Sequence, residues 1–238
     1  MIQALLKAID EFIAPPLCPV CRRAPAAADG HSPCPDCAAR VTPFDGRLAR
    51  CHLCGGLNDS PLDCCAECAK RPRPWFRGVS VFPYNGPGGA LIRALKYNHR
   101  TELVPYIGGL MAAAWRHQGP PARVECVIPV PLHWTRRMSR GFNQAQLLGE
   151  HIARELGVPC RNGLIRRHRT GHQARLSAAG RQKNLRSGFA VRHPGALRGQ
   201  AVLLVDDVFT TGATLTAAAL ALRQDGVSEL SVITAARA

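Results

Sequence analysis

The sequence predicts an α/β fold: a mostly parallel sheet flanked by helices, with a small cysteine-rich module ahead of it. Three observations carry this. From about residue 78 onward, apolar strand-like runs alternate with helical periodicity, the pattern of a doubly wound sheet. Before that point, eight of the eleven cysteines fall into four C-x-x-C pairs. A length of 238 residues accommodates one ordinary α/β domain plus a small appendage, and a hydrophobic content of 46% is that of a globular chain.

The elements follow in order. In "MIQALLKAIDEFIAPP" (1–16), Ile2, Leu5, Leu6 and Ile9 recur at helical spacing, while Asp10 and Glu11 interrupt the apolar run. No small-residue cleavage site follows, so a short amphipathic helix is expected rather than a signal peptide. No stretch reaches the ~20 apolar residues of a membrane helix, and a cytoplasmic chain without membrane insertion is expected. The pairs Cys18/Cys21, Cys34/Cys37, Cys51/Cys54 and Cys65/Cys68 come next. Reduced cytosolic thiols hold metal rather than disulfides. Two cysteines three apart can place both thiolates on one zinc, and a second pair closes a tetrahedral, structural site of four sulfurs. Two structural zinc ions are therefore expected, with the pairing of the motifs left open. A disulfide-rich module and a thioredoxin-like redox pair are the rivals. Gly55 suits the knuckle turn; His31 and His52 are dispensable alternative ligands, and C-x-x-C spacing favours Cys65 over Cys64. "RPRPW" (71–75) reads as a stiff extended linker, dividing the chain into 1–70, 71–77 and 78–238.

Beyond the linker, strands are expected at 79–84, 124–131, 201–205 and 230–236. Helices are expected at 88–98, 101–117, 143–156 and 214–225, with Gly157 and Gly226 as stops. Pro105, Gly108 and Gly109 are expected to bend or shorten the second helix. Cys126 reads as core and Cys160 as isolated. The net charge of +15 points to a polyanionic or phosphorylated partner without choosing between nucleic acid and metabolite. It is unevenly spread: no Asp or Glu occurs from Leu156 to Val205, where eight arginines and lysines cluster between Arg161 and Arg186. The segment 166–189 reads as a mobile basic flap, closing over a diphosphate or tracking a nucleic-acid backbone. Few aromatic residues accompany it, which weakens a base-stacking role.

Functional chemistry concentrates in "VLLVDDVFTTGATL" (202–215). Asp206 and Asp207 follow the apolar run "AVLLV", at the strand end where such sheets bind ligands. The turn after them offers N–H groups and hydroxyls at a helix N-terminus, which favours phosphate. Two carboxylates would repel phosphate alone, so the ligand must also bring hydroxyl donors, a divalent cation, or both. A ribose 5-phosphate with magnesium meets that requirement. A nucleotide-hydrolase strand is one rival, but no glycine-rich phosphate loop accompanies it. The other is a pair of aspartates that merely cap a helix.

That stretch closely resembles the phosphoribosyl pyrophosphate motif of type I phosphoribosyltransferases. "ALKYNHR", "PVPLHWTRRMSRGFNQAQLL", "QARLSAAGRQKNLRSGFAV" and the double C-x-x-C pattern extend the likeness over nearly the whole chain, to the ComF family, also called GntX-like: a double zinc ribbon plus a type I phosphoribosyltransferase domain, linked to DNA uptake in competence. Cys64 is an additional cysteine, and Asn98-His99 stand where a more basic or glycine-containing run is common. The resemblance implies that Asp206 and Asp207 hold the ribose diol, that Thr210, Thr211, Gly212, Ala213 and Thr214 wrap the 5′-phosphate, and that Lys96 lies near the diphosphate. Arg140 on the "RRMSRGFNQ" rim, with Arg136 and Arg137 beside it, and Arg175, Arg181 and Asn184 in the flap are further candidate contacts. The implied activity is magnesium-dependent phosphoribosyl transfer to an acceptor that no segment names, with Asp206, Asp207 and Lys96 as the catalytic candidates. The alternative is a non-catalytic protein that handles single-stranded DNA and retains the site as a sensor or relic. Zinc ribbons docking a protein partner such as a helicase are compatible with either.

Overall fold

The computed structural model describes residues 17–27, 29, 32–41, 49–59, 63–120, 123–132, 141–166 and 188–238. The expected N-terminal helix, most of the basic flap and the Arg136–Arg140 cluster lie outside them. Two short helices, α1 (Pro35–Arg40) and α2 (Ala66–Lys70), each begin directly after a cysteine of a C-x-x-C pair. Four strands then build one parallel sheet: β1 (Arg77–Pro83), β2 (Cys126–Pro129), β5 (Ala201–Phe209) and β6 (Glu229–Arg237), in the order β1-β6-β5-β2. Between them lie α3 (Pro87–Tyr97), α4 (Val104–Gln118), α5 (Gln144–Leu156) and α6 (Ala213–Gln224). A small antiparallel pair, β3 (Leu164–Arg166) and β4 (Phe189–Val191), brackets the flap.

Alternation along the strands gives the sheet two apolar faces. Leu203 and Val205 of β5 join Leu91 and Leu95 of α3, Ile107 and Met111 of α4 and Leu148 and Ile152 of α5 in one core. Val202 and Leu204 face the other way, into a core with Leu215, Ala218 and Leu222 of α6. Cys51, Cys54 and Cys68 belong to that second core, so the cysteine-rich module supplies part of the cover that a doubly wound sheet usually takes from helices.

The differences from expectation have physical causes. The helix over 101–117 is a 3₁₀ turn at Thr101–Leu103 running into α4. Pro105 falls in the first turn of α4, where no intrahelical N–H is needed. Gly108 lets α5 approach, since a Cβ there would meet the His151 ring at 2.6 Å. The stretch 71–75 is no free spacer: Trp75 is buried and donates its indole N–H to the Leu53 carbonyl at 2.7 Å. Strand β5 does not stop at Val205. Its pairing with β2 ends there, but β6 continues alongside through the Asp206–Thr234 and Phe209–Arg237 registers, so both aspartates are strand residues.

Candidate functional site

From Asp206 onward, β5 has a strand neighbour on one side only among the described residues, and a cavity of about 500 Å³ opens beside it. Consecutive strand residues point oppositely. Asp207 turns to α3, where Lys96 Nζ lies 2.8 Å from its Oδ1. Asp206 accepts the Asp207 backbone N–H at 2.8 Å. Burial, and after it the Asp207 carboxylate, push the Asp206 carboxyl up to about 7, against the pull of that N–H, Lys96 and Arg166. The cavity wall is completed by Tyr84, Tyr97, Val130–Leu132, Asn143, Arg166, Thr210 and Thr214. Its charged and hydroxylic groups suit a ligand with phosphate and diol groups. The carboxylates and threonine hydroxyls form an all-oxygen donor set that fits a hard divalent ion such as magnesium.

The turn after the dyad is held by backbone geometry. Gly212 is the N-cap of α6 with φ +75°, and a Cβ there would meet the Phe209 ring at 2.6 Å. The Thr211 hydroxyl accepts the Ala213 N–H at 3.3 Å. Because α6 starts at Ala213 with Gly212 as its cap, neither aspartate caps it. The capping alternative is thereby removed.

The cysteines resolve into two quartets: Cys18, Cys21, Cys34 and Cys37, and Cys51, Cys54, Cys65 and Cys68, all four sulfurs of each within 4.8 Å of one another. Four sulfurs ~2.3 Å from one ion in a tetrahedron stand about 3.8 Å apart. Cys21–Cys34 and Cys54–Cys65 measure 4.0 and 3.9 Å. The backbone N–H groups of Cys34 and Gly56 point at Cys18 Sγ and Cys54 Sγ, each at 3.4 Å. Burial, then the neighbouring sulfurs, push the Cys37 thiol up to about 12, a crowding that a shared cation relieves. Both quartets are therefore fit to hold zinc. His52 turns to the Asp63 carbonyl at 2.8 Å and Cys64 is in neither quartet. Gly55 has the expected positive φ, +67°.

A "DNA utilization protein YhgH" of Salmonella typhi is 34% identical over 223 residues, covering 92% of this chain and 95% of that protein. "Competence protein F" of Haemophilus influenzae is 32% identical over 210 residues, 86% of this chain and 90% of its own. The chain belongs to the ComF family. "Competence protein ComFC" of Bacillus subtilis is a more distant relative, 27% identical over 198 residues, with 81% and 78% of the two chains covered. A phosphoribosyl transferase domain model matches residues 143–238 of this ComF-family chain, which include β5, the turn and α6. The fold is accordingly phosphoribosyltransferase-like, preceded by two cysteine quartets in the manner of a double zinc ribbon.

Of the site residues named from sequence, Lys96, Asp206, Asp207, Thr210 and Thr214 line one cavity. Thr211, Gly212 and Ala213 form the adjoining turn. Arg140, Arg175, Arg181 and Asn184 fall outside the described residues. Sequence reasoning did not place Tyr84, Tyr97 or Arg166 in the site. Asn143 lies in the "RRMSRGFNQ" stretch, at the start of the helix expected over 143–156. It caps α5 by accepting the Ala145 N–H and ties that cap to the Val130 carbonyl at 3.0 Å. An Asn directly before a helical period was the available signal. Among the described residues, no helix is long and apolar enough to cross a membrane.

Proposed function

We propose that this ComF-family chain binds phosphoribosyl pyrophosphate, or a related ribose phosphate, with magnesium in the cavity where β5 outruns β2. The carrying observation is the convergence in one 500 Å³ space of the dyad, Lys96 bridged to Asp207, and threonines of a glycine-capped turn. Asp206 and Asp207 would hold the ribose hydroxyls and the cation, Thr210–Thr214 the 5′-phosphate, and Lys96 with Arg140, Arg175, Arg181 and Asn184 the diphosphate end. Magnesium, when bound, supplies positive charge against the diphosphate. In transfer, the bond from the anomeric carbon to the diphosphate breaks and the diphosphate leaves with its electron pair. The acceptor nucleophile bonds to that carbon and loses its proton. Asp206 and Asp207 orient the ribose and face the positive charge that develops on it, while Lys96 meets the leaving charge.

The names of the relatives favour a role in DNA uptake or utilisation. Structural zinc in both cysteine quartets, the division into 1–70, 71–77 and 78–238, and a cytoplasmic setting belong to the same proposal. The test is calorimetry with the donor and Mg²⁺. The double variant Asp206→Asn/Asp207→Asn keeps size and most hydrogen bonding, and should lose Mg-dependent binding by about 100-fold or more, the loss of two charge-assisted contacts. Unchanged binding in that variant overturns the assignment.

A second reading, single-stranded DNA handling without catalysis, draws on the net charge of +15 and the acid-free run. It requires DNA affinity that falls steeply with salt and weakens when Arg166, Arg167 and Arg169 are reversed together. A salt-insensitive or undetectable interaction leaves the flap to the diphosphate.

A further inference from the structure

Behind the phosphate turn stand two arginines that sequence analysis did not single out. Arg237 donates to the Thr210 carbonyl at 3.0 Å and to the Phe209 carbonyl at 3.4 Å. Arg73 donates to the Thr211 carbonyl at 3.1 Å and to the Thr216 hydroxyl at 3.3 Å. Three successive carbonyls, 209 to 211, are thus drawn to charged donors on the turn's rear. A turn can present N–H groups to an anion only when its carbonyls are directed elsewhere, and two guanidinium groups fix that choice before any ligand arrives.

The arginines are themselves held by a buried aromatic pair. Both guanidinium groups lie over the Phe209 ring, Arg237 at 5.0 Å and Arg73 at 5.4 Å, and Arg73 also lies 5.7 Å from the Trp75 ring. Trp75 meets Phe209 edge-on at 6.3 Å. Its indole N–H reaches the carbonyl of Leu53, one of the two residues between Cys51 and Cys54. Gly56, two residues after Cys54, lies against Arg237: a Cβ there would stand 3.4 Å from its Nε, at contact distance. The path from the second cysteine quartet to the turn therefore runs Leu53–Trp75–Arg73–Thr211, in direct contacts throughout.

We propose that Arg73 and Arg237 are positioning residues for the phosphate turn, and that Trp75 makes the turn's geometry depend on the backbone of the second cysteine quartet. This rests on the turn being the 5′-phosphate site. The residues touch no reacting atom; they set the direction of groups that do. Arg→Lys is no neutral exchange here, because one ammonium cannot reproduce the two hydrogen bonds each guanidinium makes while it lies over the Phe209 ring.

The experiment uses the full chain with ribose 5-phosphate as the calorimetric probe and backbone amide exchange as the second readout. Arg73→Met and Arg237→Met should each weaken ribose 5-phosphate about tenfold, the scale of one charge-assisted hydrogen bond. Exchange at 210–214 should quicken while that of 201–205 stays slow. Trp75→Phe keeps an aromatic ring and every cysteine but removes the link to Leu53, and should weaken binding several-fold with full zinc content. In the Arg73→Met background Trp75→Phe should add nothing, because both act along one path. Arg116→Met, at a surface pair with Glu155, is the control and should bind as the parent does. Additive losses from Arg73→Met and Trp75→Phe, or parental affinity in Arg73→Met and Arg237→Met while Thr210→Val/Thr214→Val abolishes binding, overturn the positioning role alone. If the parent itself ignores ribose 5-phosphate, or Thr210→Val/Thr214→Val binds it unchanged, the phosphate assignment falls and takes the positioning role with it.

Discussion

The two cysteine quartets have the same ligands and the same knuckle spacing, yet they occupy different mechanical positions. The first, Cys18, Cys21, Cys34 and Cys37, forms its own small core among the described residues, with Ala24 and Val20 packed against it, and meets the α/β core through Val20 and Val41 beside the quartet rather than through its cysteines. The second is part of the wall of the α/β core, in one cluster with Trp75, Leu204 and Leu222. The seam is tight enough to exclude side chains: a Cβ on Gly55 would lie 2.2 Å from Ser80 N, and one on Gly78 would lie 2.1 Å from the Leu53 carbonyl. Across it run Gly78 N–H to His52 carbonyl at 2.7 Å, Ser80 hydroxyl to Cys54 carbonyl at 2.8 Å, and Arg50 to the carbonyl of Ser80 at 2.9 Å. An identical cysteine motif can thus form a small core of its own or a structural wall of a larger one, depending on what the chain packs against it.

The largest expected effect tests that contrast directly. A structural zinc contributes roughly 10–16 kcal/mol of apparent folding free energy, against about 5–15 kcal/mol of net stability for a typical domain. Removing a ligand of the second quartet, Cys51→Ser or Cys68→Ser, should therefore abolish cooperative folding of the whole chain, read by near-ultraviolet dichroism. Cys18→Ser should lower zinc content from about two ions to about one while the main unfolding transition persists. Equal damage from both substitutions would erase the distinction.

A smaller effect concerns the dyad. With its folded-state pKa raised from 3.8 to about 7, Asp206 binds its proton more tightly folded than unfolded. The associated stability is complete below the unfolded value and is lost as pH rises through about 7. In Mg-free buffer, the parent should lose about 2 kcal/mol relative to Asp206→Asn between about pH 5.5 and 8.5. The groups facing Asp206 are Asp207, Lys96 and Arg166, all remote from the first quartet in the chain, so Cys18→Ser should retain the same slope. A parallel pH dependence in the parent and Asp206→Asn would show that this carboxyl is not the titrating group. The smallest effect is at the seam. The fully buried Ser80 hydroxyl bridges the Cys54 carbonyl and the Thr234 hydroxyl, each at 2.8 Å. Ser80→Ala should cost about 1 kcal/mol in denaturant titrations, the net contribution of a typical intramolecular hydrogen bond. No measurable loss would mean that this hydroxyl bridge contributes nothing to holding the seam.

The order of the four parallel strands and their helices was legible because each carries its own periodicity. Strands β3 and β4 and the two short helices of the cysteine module, three to six residues each, are too short to show one. The cysteine ligands were legible because spacing encodes them. The grouping of the cysteines was not, since it depends on how the chain folds back between pairs. The dyad stood out as two acids after "AVLLV", but the end of β5 was misplaced. That end is decided by β6, whose pairing carries the strand to Phe209. "RPRPW" read as a spacer because its prolines dominate the local composition. Its partners Thr216 and Thr211 lie 143 and 138 residues from Arg73, beyond the reach of any local pattern.

The position of β1 at the sheet edge has a consequence in time. Its only strand partner among the described residues is β6, and the Ser80–Thr234 contact spans 154 residues. At ~5–20 residues per second, a ribosome needs roughly 10–30 s to deliver that partner. Throughout that interval "VSVF" is an apolar strand with an unsatisfied edge, the kind of segment that templates aggregation. The ligands of the second quartet are all made before β1, and their knuckle offers the His52 carbonyl to its backbone. Zinc captured by the nascent chain would set that knuckle before β6 exists and give β1 its first backbone partner, so chain synthesised without zinc should be recovered in lower soluble yield.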